Sequence, residues 1–316
     1  MDKHMKNIIK YTVVLLALLA AVSCRQEKLS EESVITVDQQ TKNDFDLWLE
    51  SNFVNPYNVQ IKYRYDLNET SFSYYTVPAD YDCSVVMAHL IKYLCVDSYD
   101  EVAGVIFTKH YFPKLFVFIG EWEYNNAGTI RLGTAEGGKK ITLSGLNYLP
   151  SILATTWGDY SDPAENLNHY YIKTIHHEFT HILNQTKDYP TEFKQITPND
   201  YVQDSWNSSE YSGEHLYKGF ISSYARKEDR EDFAELLSMY VTNTPQKWAS
   251  WMEEASVDAE GNPASGKDII ETKLEIVRNY MKDTFNIDID ELREVVIRRQ
   301  DEVMAGLVDL TSLEIN

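Results

Sequence analysis

The sequence predicts an α+β fold, with a mixed sheet and a site-bearing helix in its front half and a helical back half. Three observations predict it. Short alternating apolar runs are interspersed with helical ones before residue 145. Beyond Asp162, apolar residues recur at three- and four-residue spacing. The 316 residues, 43% hydrophobic and 25% charged, are enough for one large folded domain or two small ones.

The first 23 residues stand apart. Lys3, Lys6 and Lys10 precede an apolar run over 12–22, too short to span a bilayer with ordinary flanks. Residues 1–23 therefore read as a secretory signal. Ala21-Val22-Ser23-Cys24 resembles the lipobox of bacterial lipoproteins, in which the cysteine becomes lipidated and N-terminal. That resemblance implies an exported lipoprotein of the outer membrane, held to the membrane through Cys24. Residues 24–40 are polar and acidic without apolar period, a flexible tether. The net charge is −20, and losing three lysines and Asp2 with the signal makes it two units more negative. Such a chain repels nucleic acid, which is excluded as a partner.

The folded domain is expected over 41–316, with subdomains of about 41–185 and 186–316 flanking a cleft. Phe45, Trp48, Leu49 and Phe53 follow helical spacing, and Pro56-Tyr57-Asn58 breaks that helix. Val59, Ile61, Tyr63 and Tyr65 alternate as in a half-buried strand. Residues 82–96 form an amphipathic helix. Cys83 and Cys95 lie twelve positions apart on it, about 18 Å, beyond the reach of a disulfide. They are expected as buried free thiols. Residues 114–120, 129–133 and 139–144 are strands, with Gly137-Gly138 as the turn joining the last two. Tyr171, Ile175, Phe179, Ile182 and Leu183 mark the core face of a further helix. A loop over 186–220 is long enough to suggest function. Helices then follow at about 227–242, 245–256, 266–285 and 288–305.

The chemistry centres on His177-Glu178-Phe179-Thr180-His181. Positions i and i+4 share a helix face, so two imidazoles can hold one zinc ion. Glu178 can then take a proton from a water held at that ion. A catalytic zinc needs a third protein ligand and an open position. Residues 182–187 carry neither the Gly nor the third His that one class uses. Another class takes a Glu from a later helix, and Glu231-Asp232-Phe233-Ala234-Glu235 offers one. Glu231 and Glu235 share a face: Glu231 is the ligand candidate, and Glu235 can accept the free N–H of a liganding His. The opposite assignment, Glu235 as ligand, is weighed against it. Tyr224 and His215 compete to stabilise a developing oxyanion. His176 lies on another helix face and suits packing, as do His89 and His110.

Ser223-Tyr224-Ala225 followed by Glu231-Asp232-Phe233-Ala234-Glu235 resembles the gluzincin catalytic domain of anthrax lethal factor and its relatives. The resemblance implies a zincin-like fold, zinc on Glu231 and an oxyanion donor in Tyr224. Ala225 stands where those relatives have Gly. Across nearly the whole mature chain, the sequence also resembles the zinc-binding metallopeptidase lipoproteins of Bacteroidetes. Matching segments include Trp48-Leu49, Pro56-Tyr57-Asn58-Val59, Tyr63-Arg64-Tyr65-Asp66 and the His176–Leu183 run. This implies proteolysis of a peptide or protein substrate, with nutrient-uptake lipoproteins as neighbours. The competing expectation is a non-catalytic surface lipoprotein that binds rather than cuts. Residues 139–144, the last strand before the site helix, are expected at a sheet edge, where a substrate backbone could pair.

Overall fold

The computed structural model describes residues 41–70, 74, 76–124, 130, 131, 133–136 and 140–315, with residues 2, 4, 5 and 11. Residues 42–316 form one compact unit and 1–41 another. Most of the signal segment, the tether with Cys24, and the Gly137-Gly138 turn lie outside the described residues.

Helical run α1 covers 44–57 and contains a π turn at Glu50–Val54. The Asn43 side chain accepts from the Asp46 amide at 2.8 Å, and the Asp46 carboxylate accepts from the Asn43 amide at 2.9 Å. This reciprocal cap satisfies two otherwise orphaned donors. Asn58, at φ 54°, ends the run in the left-handed region. The run therefore ends within the expected Pro56-Tyr57-Asn58 break, with Pro56 in the final turn, where a proline is tolerated near the start.

Strand β1 is Gln60–Lys62. Run α2 extends from 81 to 103, longer than the expected 82–96, until Gly104 stops it at φ 82°. Cys83 and Cys95 are free and buried on it. Helix α3 is Val105–Tyr111. The remaining strands are β2 (Leu115–Phe118), β3 (Glu123–Tyr124), β4 (Ile130–Arg131), β5 (Gly133–Glu136) and β6 (Lys140–Leu143).

The four-stranded sheet has the order β1-β2-β6-β5, and β3 pairs with β4 separately. β1, β2 and β6 are parallel, with Phe116 in register with both Ile61 and Ile141. β5 runs antiparallel to β6. The expectation for 139–144 is therefore overturned: β6 is internal, bracketed by β2 and β5, and β5 is the edge. The physical reason lies in β6 itself. Ile141, Thr142 and Leu143 are all buried, as in a strand covered on both faces.

Helix α4 is Leu149–Leu153. Run α5 covers 163–186, and its last part, Lys173–Thr186, is the site helix. Asp162 caps its start and Pro163 fills the first position, where no N–H is needed. The 186–220 segment is not a bare loop: it carries α6 (Glu192–Ile196) and short 3-10 turns, anchored by the fully buried Phe193. Helices α7 (Asp229–Thr242), α8 (Pro245–Glu254), α9 (Gly266–Phe285) and α10 (Ile289–Met304) complete the back half as expected. Among the described residues, no helix is long and apolar enough to cross a membrane.

The core fixes the site helix from behind. Phe179 is fully buried, with its ring 4.9 Å from Tyr99 and 5.2 Å from Phe112, both edge-on. Burying one such ring stabilises by about 1.5–3 kcal/mol. On α7, Phe233 packs among Tyr189, Phe193 and Tyr280 at centroid distances of 4.7, 5.0 and 5.3 Å. The two helices thus face each other with their polar sides, between hydrophobic backs.

Candidate metal centre

The site helix and α7 bring three donor atoms together. His177 Nε2 and His181 Nε2 are 3.0 Å apart. Glu231 Oε2 lies 3.0 Å from the first and 3.1 Å from the second. Within the described residues, these three side chains form the group able to hold a metal ion. Two imidazole nitrogens and one carboxylate oxygen suit zinc, whose bonds of about 2.0–2.2 Å place tetrahedral donors about 3.3 Å apart. The donor set therefore fits the ion.

The spacing that produces this is local on each helix and global between them. His177 and His181 are one turn apart, so both rings leave the same face. Their centroids are 4.7 Å apart and the rings nearly perpendicular. Glu231 comes from the first turn of α7, only 9% exposed. Burial opposes its charge, but His177 and His181 outweigh burial and hold its carboxyl far below the usual carboxylate range.

Glu235, one turn further along α7, does not join the triangle. Its Oε1 lies 2.9 Å from His177 Nδ1, on the other side of that ring. The contact is a charge pair between the ring and the buried carboxylate. Lys173 Nζ donates to the same oxygen at 3.0 Å and Ser222 Oγ to the other at 2.7 Å. Burial disfavours the charge on Glu235, yet Lys173 and His177 keep its pKa lowered. His177 loses affinity for a proton through burial, but Glu231 and Glu235 outweigh this and raise it to about 9. An ion at the centre would take the place of that proton.

Tyr224 stands beside this set. Its ring is 5.9 Å from that of His177. Burial first, and then the neighbouring Glu231, Glu235 and Glu178 carboxylates, raise its phenol far above the ordinary value, so it remains a donor. Glu178 follows His177 on the site helix and is partly exposed. Its charge is felt by both His177 and Tyr224. His215 is instead engaged with Ser223 Oγ at 3.2 Å. His176 faces the core: Tyr99 Oη lies 3.0 Å from its Nδ1, and burial lowers its pKa to about 3. His89 bridges the Val85 and Ser312 carbonyls, a structural placement, and His110 is exposed against Tyr111.

Several neighbours were not foreseen. Lys173 lies four positions before His177, so helical spacing alone could have found it. Lys227 Nζ lies 3.5 Å from Glu231 Oε1 and 5.4 Å from the Tyr224 ring centroid. Trp206 meets Tyr224 edge-on at 5.0 Å, a contact no local pattern announces. Asp232 points away from the centre into a buried pair, 2.7 Å from Lys273 Nζ.

A family model described as "putative zinc-binding metallo-peptidase" matches residues 38–290. A crystal structure of a protein from Bacteroides caccae, named in the same words, is 35% identical. The match covers 89% of this chain and 100% of that one, with a TM-score of 0.69. No curated protein matches the chain. With four-fifths of its length inside the family model, the chain belongs to the family of "putative zinc-binding metallo-peptidases".

Proposed function

We propose that the chain is a zinc-dependent metalloendopeptidase of the gluzincin type. The observation that carries this reading is the triangle of His177, His181 and Glu231 donor atoms, 3.0–3.1 Å on each side, flanked by Glu178 and Tyr224. Bound zinc supplies a Lewis acid that lowers the pKa of a water and polarises the scissile carbonyl. Glu178 takes a proton from the attacking water and returns one to the leaving amine. The Tyr224 hydroxyl donates to the oxygen that becomes negative. Glu235, held by Lys173 and Ser222, orients the His177 ring from behind. β5, the edge strand packed against the site helix, is the proposed seat for an extended substrate backbone.

In this reading the protein is exported as a lipoprotein of the outer membrane, anchored through Cys24, with nutrient-uptake lipoproteins as proposed neighbours. The second reading, a binding lipoprotein without catalysis, draws on Trp206, which brings the 186–220 segment against Tyr224. One experiment separates them. Metal analysis of the purified protein should give one zinc per chain. Cleavage of a peptide library should stop on chelation and return with zinc. Bound zinc without any cleavage would favour the binding reading.

A further inference from the structure

We infer that Trp206 determines specificity, walling the subsite next to Tyr224 and selecting peptides with an aromatic side chain beside the scissile bond. The inference rests on the peptidase reading and adds a substrate class to it. The segment carrying Trp206 is strapped to the segment carrying Tyr224. Val202 N–H donates to the Arg226 carbonyl at 2.7 Å, and Gln203 N–H to the Lys227 carbonyl at 3.1 Å. A 3-10 turn, Gln203–Ser205, then delivers Trp206. The far end of the excursion is tied as firmly. Arg226, 3% exposed, donates to Glu214 at 3.0 Å, and buried Lys273 donates to the Gly219 carbonyl at 2.9 Å.

Between these anchors, residues 203–205 are exposed, while the Trp206 indole is half-buried. Its contact is the Tyr224 ring, 5.0 Å away at 84°. The phenol that would hold the carbonyl oxygen therefore has an indole at its side, and the two rings make an aromatic corner. A third ring from the substrate can complete an edge-to-face set there. A small side chain leaves the indole wet.

The test uses the zinc-loaded protein and two peptide hydroxamates that differ only in Phe or Gly beside the metal-binding group. Binding is read by calorimetry, so turnover is not needed. Wild type should bind the Phe compound at least about tenfold more tightly than the Gly compound. Trp206→Ala should bring that ratio close to one with zinc content retained, and Trp206→Phe should keep most of it. A Trp206→Ala protein that keeps the wild-type ratio overturns the assignment, as does a wild type without preference. A wild type that binds neither compound overturns the peptidase reading beneath it.

Discussion

His177 Nδ1 lies 2.9 Å from Glu235 Oε1, on the side of the imidazole away from His181 and Glu231. One ring thus touches two carboxylates from consecutive turns of α7, with its Nε2 in the donor triangle and its Nδ1 against a buried anion. That anion is itself fixed by Lys173 and Ser222. The arrangement sets both the direction of the ring and which nitrogen faces the metal position.

Replacing Glu235 should therefore weaken metal binding without removing a ligand. Glu235→Gln is expected to lower zinc affinity by about 10–100-fold. Competition with a chromophoric chelator measures it. An unchanged affinity would mean that Glu235 serves only packing.

Tyr224 should act on the transition state alone. Tyr224→Phe keeps the ring against Trp206 and His177 but loses the O–H. The expected result is a fall in kcat of about 100- to 1,000-fold, with zinc content and KM nearly unchanged. Steady-state kinetics on one cleaved peptide decide it. A matching loss in His215→Ala alone would transfer the role to His215.

The pair behind the site is a stability device. Lys273 and Asp232 are each 1% exposed and 2.7 Å apart, and Tyr201 also donates to Asp232 at 2.9 Å. Lys273→Met strands a buried carboxylate, so denaturant unfolding should show a loss of about 3–5 kcal/mol. Adding Asp232→Leu should recover much of it, because the penalty belongs to the unpaired charge.

His176 makes an acid-sensitive contribution. Burial lowers its pKa to about 3, whereas the unfolded chain has the ordinary value near 6.5. The unfolded state thus binds more protons below pH 6.5. The contribution is complete above that pH and declines steadily as pH falls towards 3. Urea midpoints measured across this window should fall less steeply for His176→Asn than for wild type. Parallel slopes would show that His176 does not titrate this way.

The sequence made some of this legible, for identifiable reasons. His177 and His181 share a helix turn, and Glu231 and Glu235 share another, so helical periodicity alone predicted which side chains emerge together. The meeting of the two helices required the apolar backs carried by Phe179, visible as a core position, and Phe233. The sheet order was not legible. β5 is only Gly133–Glu136, too short to carry a period, and β6 was expected at the edge because it is the last strand before the site helix. The stop after α1 was legible: Pro56-Tyr57-Asn58 was expected to break the helix, and Asn58 ends it in the left-handed region. Trp206 was hidden because its contact with Tyr224 depends on a backbone ladder between 202–203 and 226–227, and such pairings leave no local signature.

In the proposed mechanism Glu178 moves the proton while His177, His181 and Glu231 hold the zinc. Its most direct test is one paired measurement, zinc content and peptide-library cleavage, on wild type and Glu178→Ala. One zinc is expected in both proteins, with cleavage by wild type and a loss of at least about 100-fold in the variant. Equal cleavage by the two proteins, each with its zinc in place, would contradict it.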